Sequence, residues 1–208
     1  MLLGVIPARG GSKGIPKKNL HPLNGKPLIE YTIEAAKKSE LDDVVLTTDD
    51  FEILARGVGC FQIMRPQELA QDDTPMIPVV QHAVLEYEGK TGKSVDVVVL
   101  LQPTSPLRTT YDIDRALITF LLCGRSSLYS GYYLGLKKKT AAYDKHQDVA
   151  HFQRNGAIFI AKSELIRQGL LWASDVCEME MPKTRSIDID DMEDMEIAEA
   201  LLRMVDNG

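Results

Sequence analysis

LLGVIPARGGSKGIPKKN, residues 2–19, joins a short apolar run to a loop with glycines at positions 10, 11 and 14, four cations and no acid. A run without polar alternation suits a strand buried on both faces, and the glycines directly behind it mark a loop leading towards a helix. That helix is expected at 28–40, where Leu28, Ile29, Thr32, Ile33 and Ala36 recur with helical spacing behind Pro27. The pattern then repeats as strand 44–48, helix 51–58, strand 61–64, helix 77–87 and strand 95–101. Helix 111–122, strands 127–134 and 157–161, and an amphipathic helix at 191–205 complete it. Unbroken Val and Leu runs separated by helices predict an α/β fold with a mainly parallel sheet, whose ligands sit at the carboxyl ends of the strands.

The 208 residues, 44% hydrophobic and 26% charged, fit a single domain spanning 1–208, without internal repeat, low-complexity segment or linker. No apolar run reaches the length of a membrane span or a signal segment, so no membrane partner is expected. Cys60, Cys123 and Cys177 show neither a disulfide framework nor zinc spacing, and a reducing, cytoplasmic setting fits them. The net charge of −6 hides an asymmetry. Arg9, Lys13, Lys17, Lys18 and Lys26 all precede the first acid, Glu30, and the remaining 19 basic and 30 acidic residues leave −11. One concentrated cationic patch on an acidic chain argues against nucleic acid and for a small polyanion.

In residues 7–19 the glycines let backbone N–H groups approach a ligand while Arg9, Lys13 and Lys18 supply charge, a combination suited to a triphosphate. The spacing matches neither the Walker loop nor the dinucleotide fingerprint. A plain flexible turn with solvated lysines is the alternative, and the absence of acids weighs against it. Near the other end, Asp188 and Asp190 share a face if 186–190 is extended, with Ile187 and Ile189 turned to the core. Two carboxylates suit Mg²⁺, which keeps waters and borrows phosphate oxygens; acidic capping of the last helix, with Asp191 capping either way, is the alternative. Gln102, Thr104 and Ser105 lie just beyond the strand at 95–101, where polar side chains reach a ligand, unless Pro103 and Pro106 merely stiffen a turn and Arg108 is solvated or carboxylate-paired. The four histidines have no metal spacing and no nucleophile partner.

Together, PARGGSKGIPKKN (7–19) and NGKPLIEYTIEAA (24–36) resemble the opening of the acylneuraminate cytidylyltransferases, which make CMP-sialic, CMP-legionaminic and CMP-pseudaminic acids. RPQELAQDDTP (65–75), LLQPTSPLR (100–108), RNGAIFI (154–160) and SIDIDD (186–191) are similar, in order, to that family's nucleotide-side loop, central strand and turn, sugar-side strand and metal-binding end. The resemblance implies a three-layer α/β sandwich of the nucleotide-diphospho-sugar transferase type around a mainly parallel, mixed sheet. It implies catalytic roles for Arg9, Lys18 and Asp188, and Mg²⁺ on Asp188 and Asp190. Nucleotide contacts fall to Ala8, Gly10, Gly11, Ser12, Lys13, Asn19, Arg65, Asp72 and Gln102, and sugar contacts to Gln102, Thr104, Ser105, Lys139 and Asn155. CTP and an acidic nine-carbon sugar are the implied substrates, and a homodimer the implied assembly.

The chain departs from the family in three places. The stretch 133–152 is shorter than usual, Gln153 stands where an arginine is common unless Arg154 substitutes, and Met76 replaces a small hydroxyl residue. A cytidylyltransferase for the eight-carbon acid Kdo is a second possibility, opposed by TSPLR and SIDIDD. A non-catalytic nucleotide- or sugar-binding relative is a third, opposed by Arg9, Lys18, Asp188 and Asp190.

Overall fold

The computed structural model describes residues 1–134 and 151–206. Strand β1 (Leu2–Pro7) runs into the glycine loop, a 3-10 turn at Lys18–Leu20, a ribbon of β2 (Pro22–Leu23) with β3 (Lys26–Pro27), and helix α1 (Leu28–Lys37). Next come β4 (Asp43–Thr48), α2 (Phe51–Leu54), β5 (Phe61–Met64), α3 (Met76–Thr91) and β6 (Val97–Leu100). The chain closes with α4 (Thr110–Cys123), β7 (Ser127–Leu134), β8 (His151–Lys162), α5 (Ser163–Arg167), β9 (Cys177–Glu180), a 3-10 turn at Lys183–Arg185, and α6 (Met192–Asp206).

Among the described residues, seven strands form one sheet in the order β5-β4-β1-β6-β8-β7-β9, and β8 alone runs against its neighbours. Strand alternation builds the two outer layers. Leu3 and Val5 of β1, with Val98 and Leu100 of β6, pack against Val80, Ala83, Val84 and Tyr87 of α3 and Ile166 of α5. Ile6, Val97 and Val99 face the other way, onto Ile29 and Ile33 of α1 and Ile113, Leu117 and Phe120 of α4. Each such fully buried Val, Leu or Ile contributes about 1.5–3 kcal/mol, so continuous strands covered on both faces hold the sheet. The molecule is thus the expected three-layer α/β sandwich with a mainly parallel, mixed sheet. Among the described residues, no helix is long and apolar enough to cross a membrane.

Several boundaries differ from expectation. The helix expected at 51–58 stops at Leu54, because the chain turns through Gly59, at φ 80°, to bring Phe61 beside Val45. The short strand expected at 157–161 is the twelve-residue β8, whose first half carries His151, Gln153 and Arg154 and so lacks an apolar signal. The edge strand β9, with its charged Glu178 and Glu180, was not expected at all.

Candidate nucleotide-binding cleft

The carboxyl ends of β5, β4, β1 and β6 open on one edge of the sheet. Beyond β1, Arg9 begins the glycine loop, which is fastened at its root: the Gly10 N–H donates to Asp49 Oδ1 at 2.9 Å and Asn19 Nδ2 donates to the Arg9 carbonyl at 2.9 Å. Asp49 lies just past β4, and the buried Arg65, just past β5, stands 3.8 Å from the same Oδ1. Burial pushes the Arg65 guanidinium below its ordinary value, with Asp49 opposing the shift and Arg9 adding to it.

Residues 186–190, from the far end of the chain, meet this loop. The Ile189 N–H donates to the Thr104 carbonyl at 2.8 Å, and Lys18 Nζ donates to the Ile189 carbonyl at 2.5 Å while lying 3.6 Å from Asp190 Oδ1. Gly14 sits against the Asp190 carbonyl so closely that any Cβ there would overlap it. The alternation expected for this segment holds although it pairs with no strand. Ile189 is wholly buried with Ile187 packed beside it, and Asp188 and Asp190 face the cleft. Capping of α6 falls to other residues: Asp191 Oδ1 accepts from the Asp194 N–H, and Asp194 Oδ2 accepts from the N–H groups of Asp190 and Asp191.

A cavity of ≈ 350 Å³ results, in which Arg9, Lys18, Asp188 and Asp190 converge. Gly11, Ser12, Asn19, Arg65, Asp72, Gln102 and Thr104 also border it. Asp72 reaches over to pair with Arg9 and, at 3.1 Å, with Lys13, and the two cations hold its carboxyl below the usual range. The Asp188 side chain is open to the cleft, yet crowding by the cleft walls lifts its carboxyl above the ordinary range. The Thr104 hydroxyl and Lys18 act against that rise, and Asp190 adds to it.

A second cavity, of ≈ 480 Å³, adjoins the first and shares Asp188 with it. Tyr132, Gln153, Arg154, Asn155, Gly156 and Lys183 are among the residues around it. Gly156 is the hinge between the two: its φ is 72°, and a Cβ there would stand 2.9 Å from Gln102 Oε1 and 3.2 Å from Asp188 Oδ2.

Several expected contacts sit elsewhere. Ala8 is buried and bonded to β4 through its N–H, and the Gly10 N–H is taken by Asp49, so neither borders the cavity. Lys13 reaches the site only through Asp72. Ser105 is fully buried and borders neither cavity. Asn155, by contrast, does border the second cavity, and its amide accepts from Ser130 Oγ at 2.7 Å and donates to Ser186 Oγ at 2.9 Å, bracing β8 to the aspartate segment. Arg108 is neither solvated nor paired with a carboxylate. It is buried and donates to Thr32 Oγ1 and to the carbonyls of Gln102 and Ala157, and burial pushes its guanidinium down to about 9. Lys139 lies outside the described residues. Sequence reading missed Asp49, Gly156 and Lys183. Asp49 sits where the strand-end rule would have found it; nothing local marks the other two.

A family model described as Cytidylyltransferase matches residues 3–166. The N-acylneuraminate cytidylyltransferase of Escherichia coli O18:K1:H7 is 33% identical over 95% of this chain and 51% of its own length, so the chain spans about half of that relative. The pseudaminic acid cytidylyltransferase of Campylobacter jejuni serotype O:2 is 30% identical over 97% of this chain and 96% of its own. Among solved structures, a CMP:2-keto-3-deoxy-manno-octonic acid synthetase complexed with CTP superposes with a TM-score of 0.72 over 98% of each chain, at 17% identity, and so shares the fold. With its strand–glycine-loop opening, its paired aspartates in the same cleft and this span of matched sequence, the chain belongs to the cytidylyltransferase family.

Proposed function

We propose that the protein transfers CMP from CTP to a nonulosonic, sialic acid-like sugar and releases pyrophosphate. One observation carries this: cations of the first loop and carboxylates of the last loop share a single cavity, and Asp188 opens both onto it and onto the second. The first cavity takes the triphosphate, with Arg9 and Lys18 against its charge. The second takes the sugar, whose carboxylate meets Lys183, a cation over the Tyr132 ring, while Arg154 holds its guanidinium 4.7 Å over the Trp172 ring.

In the reaction, the anomeric hydroxyl attacks the α-phosphorus. Its O–P bond forms as the P–O bond to pyrophosphate breaks and the hydroxyl proton is lost, without a covalent enzyme intermediate. Catalysis of this kind is positioning and charge neutralisation. Among the described residues no cluster of three or more His, Cys, Asp or Glu stands ready for a metal. The Asp188 carboxylate, crowded and repelled by Asp190, fits a divalent cation all the same, as Mg²⁺ draws its remaining ligands from phosphate and water. Mg²⁺ on Asp188 and Asp190 would neutralise charge on the triphosphate. A cytoplasmic homodimer belongs to the same proposal, and sedimentation of the purified chain checks the dimer.

The test is pyrophosphate release from CTP, ATP, GTP or UTP with Mg²⁺ and a panel of acidic sugars. CTP with a nine-carbon nonulosonic acid is the expected pair. Turnover with the eight-carbon acid alone would move the substrate assignment, and tight CTP binding without turnover on any sugar would leave a binding protein.

A further inference from the structure

Residues 181–191 deliver Asp188 and Asp190, yet beyond the turn at Lys183–Arg185 they have no regular structure of their own. Their placement comes from the Ile189 N–H bond to the Thr104 carbonyl, from the buried Ile189 and from side-chain ties. Beside the buried bond from Asn155 to Ser186, one of these is the pair between Arg185, three residues before Asp188 and 32% exposed, and Asp112 in the first turn of α4. Asp112 is fully buried. Its Oδ2 accepts from Arg185 Nε at 2.9 Å and its Oδ1 from Arg185 Nη2 at 2.8 Å, a two-pronged fit that fixes direction as well as distance.

The same carboxylate closes the cap of α4. Asp112 Oδ2 accepts from the Thr109 N–H at 3.0 Å and from Thr109 Oγ1 at 2.8 Å. Thr109 directly follows Arg108, the end of the segment that exits β6 and supplies Gln102 and Thr104 to the cleft. One buried carboxylate therefore binds the start of α4, the exit of β6 and the aspartate segment. Burial by itself would raise the Asp112 carboxyl, and Arg185 with Thr109 more than reverse that, so the pair is ionised and firmly made. Neither residue borders the first or the second cavity, so neither can touch a ligand there.

We infer that Asp112 and Arg185 are positioning residues for the proposed reaction: their two-pronged pair helps set where Asp188 and Asp190 stand against the triphosphate and its metal. This rests on the cytidylyl-transfer proposal. The pair's partners are not interchangeable with near relatives, since lysine keeps the charge of Arg185 but loses its fork, and asparagine keeps the shape of Asp112 but loses its charge.

The experiment uses Asp112→Asn, Arg185→Lys and the double variant in the full chain. Amide hydrogen exchange without ligand reads the segment itself, Mn²⁺ binding in the presence of CTP reads the metal site, and pyrophosphate release reads turnover. Each single variant is expected to exchange faster at 187–190 while β1 and β6 keep their protection. Mn²⁺ affinity and kcat should each fall about 10- to 100-fold, as for other groups that orient metal ligands. The double variant should lose no more than the worse single one, because the two act as a unit. Unchanged exchange at 187–190 would overturn the inference, whatever the activity. So would faster exchange with Mn²⁺ affinity and kcat intact. An unaltered chain that bound neither CTP nor Mn²⁺ would sink cytidylyl transfer and this inference with it, and is told apart from the other failures because it shows before any variant is made. If Asp112→Asn does not fold, Arg185→Lys alone decides, since it leaves the α4 cap whole.

Discussion

The two halves of the sheet supply the cleft in different ways. In the parallel half, β5-β4-β1-β6, its residues stand just past strand carboxyl ends: Arg9 beyond β1, Asp49 beyond β4, Arg65 beyond β5 and Gln102 beyond β6. In the other half, Asn155 and Gly156 lie inside β8, the one reversed strand, and Asp188 arrives on a segment that pairs with none. Strand direction aims the first group and the bonds from Gly10 to Asp49 and Asn19 to Arg9 fasten it, whereas the second is held tie by tie, through Asn155 to Ser186, Thr104 to Ile189 and Asp112 to Arg185. Substitutions in the second half should therefore act on geometry and turnover, and those in the first on charge and nucleotide.

Asp188→Asn is the sharpest way to break that contrast. Turnover at saturating CTP and Mg²⁺ should fall roughly 10²-fold or more, the loss typical of an electrostatic group acting in the transition state. Stability should move the opposite way. A carboxyl lifted by folding holds its proton where the unfolded chain has lost it, so ionised Asp188 weakens the fold as pH rises from the ordinary carboxylate value through its raised one. Asp188→Asn should melt higher than the parent at pH 7, with the gap closing near pH 4. On the activity side, proton and Mg²⁺ compete for the Asp188 carboxylate, so the apparent Mg²⁺ affinity should drop as pH falls through the raised value, a dependence the variant should lack. A variant that melts lower at pH 7 would show that the carboxylate is not strained by its surroundings.

Arg9→Ala should also lower turnover about 10²-fold with CTP saturating, since the charge it offers grows in use as pyrophosphate departs. Because it belongs to the parallel half, its hydrogen-exchange pattern should match the parent's at 186–191. Altered exchange there would erase the distinction between the halves.

How much was legible follows the same division. Val97 to Leu100, and Leu2 to Ile6, read as strands because burial on both faces removes polar alternation, and direction then placed the cleft beyond them. Arg9 and Lys18 stood out because no acid precedes Glu30, and Asp188 with Asp190 because a spacing of two puts them on one face. In β8 the signal failed, as His151, Gln153 and Arg154 look outward from a strand that projects past the end of β6, whose Leu100 pairs with Phe159. Ser105 and Arg108 misled because polarity was taken for access, while the fold spends Arg108 on two carbonyls and a hydroxyl inside the protein. The Asp112–Arg185 pair, 73 residues apart in the chain, left no local trace.

Gly156→Ala tests the hinge between the cavities. A Cβ forced into φ 72° costs about 1–2 kcal/mol for an L-residue, before its crowding of Gln102 and Asp188 is counted. In a domain of this size that is a fall of roughly 2–8 °C in Tm. Turnover should fall about 10-fold, through small displacement of Asp188, with CTP affinity near the parent's. A loss confined to CTP affinity would place Gly156 with the parallel half instead.

Lys13→Ala should give the smallest effect, and salt makes it readable. The side chain is 78% exposed and touches the cleft only through Asp72, so it contributes no more than an exposed surface ion pair. At low ionic strength kcat/KM for CTP should drop about 2- to 5-fold, with kcat at saturating CTP unmoved. Exposed charges are screened within about 3 Å at 1 M salt, against about 10 Å at 0.1 M, so the deficit should vanish in concentrated salt. Loss of Lys13 also leaves Asp72 to Arg9 alone, which tightens a contact that competes with the triphosphate for Arg9 and adds to the deficit at low salt. A deficit that survived 1 M salt would mean that Lys13 leaves Asp72 and bonds the triphosphate directly, giving the glycine loop a third cation at the phosphates beside Arg9 and Lys18.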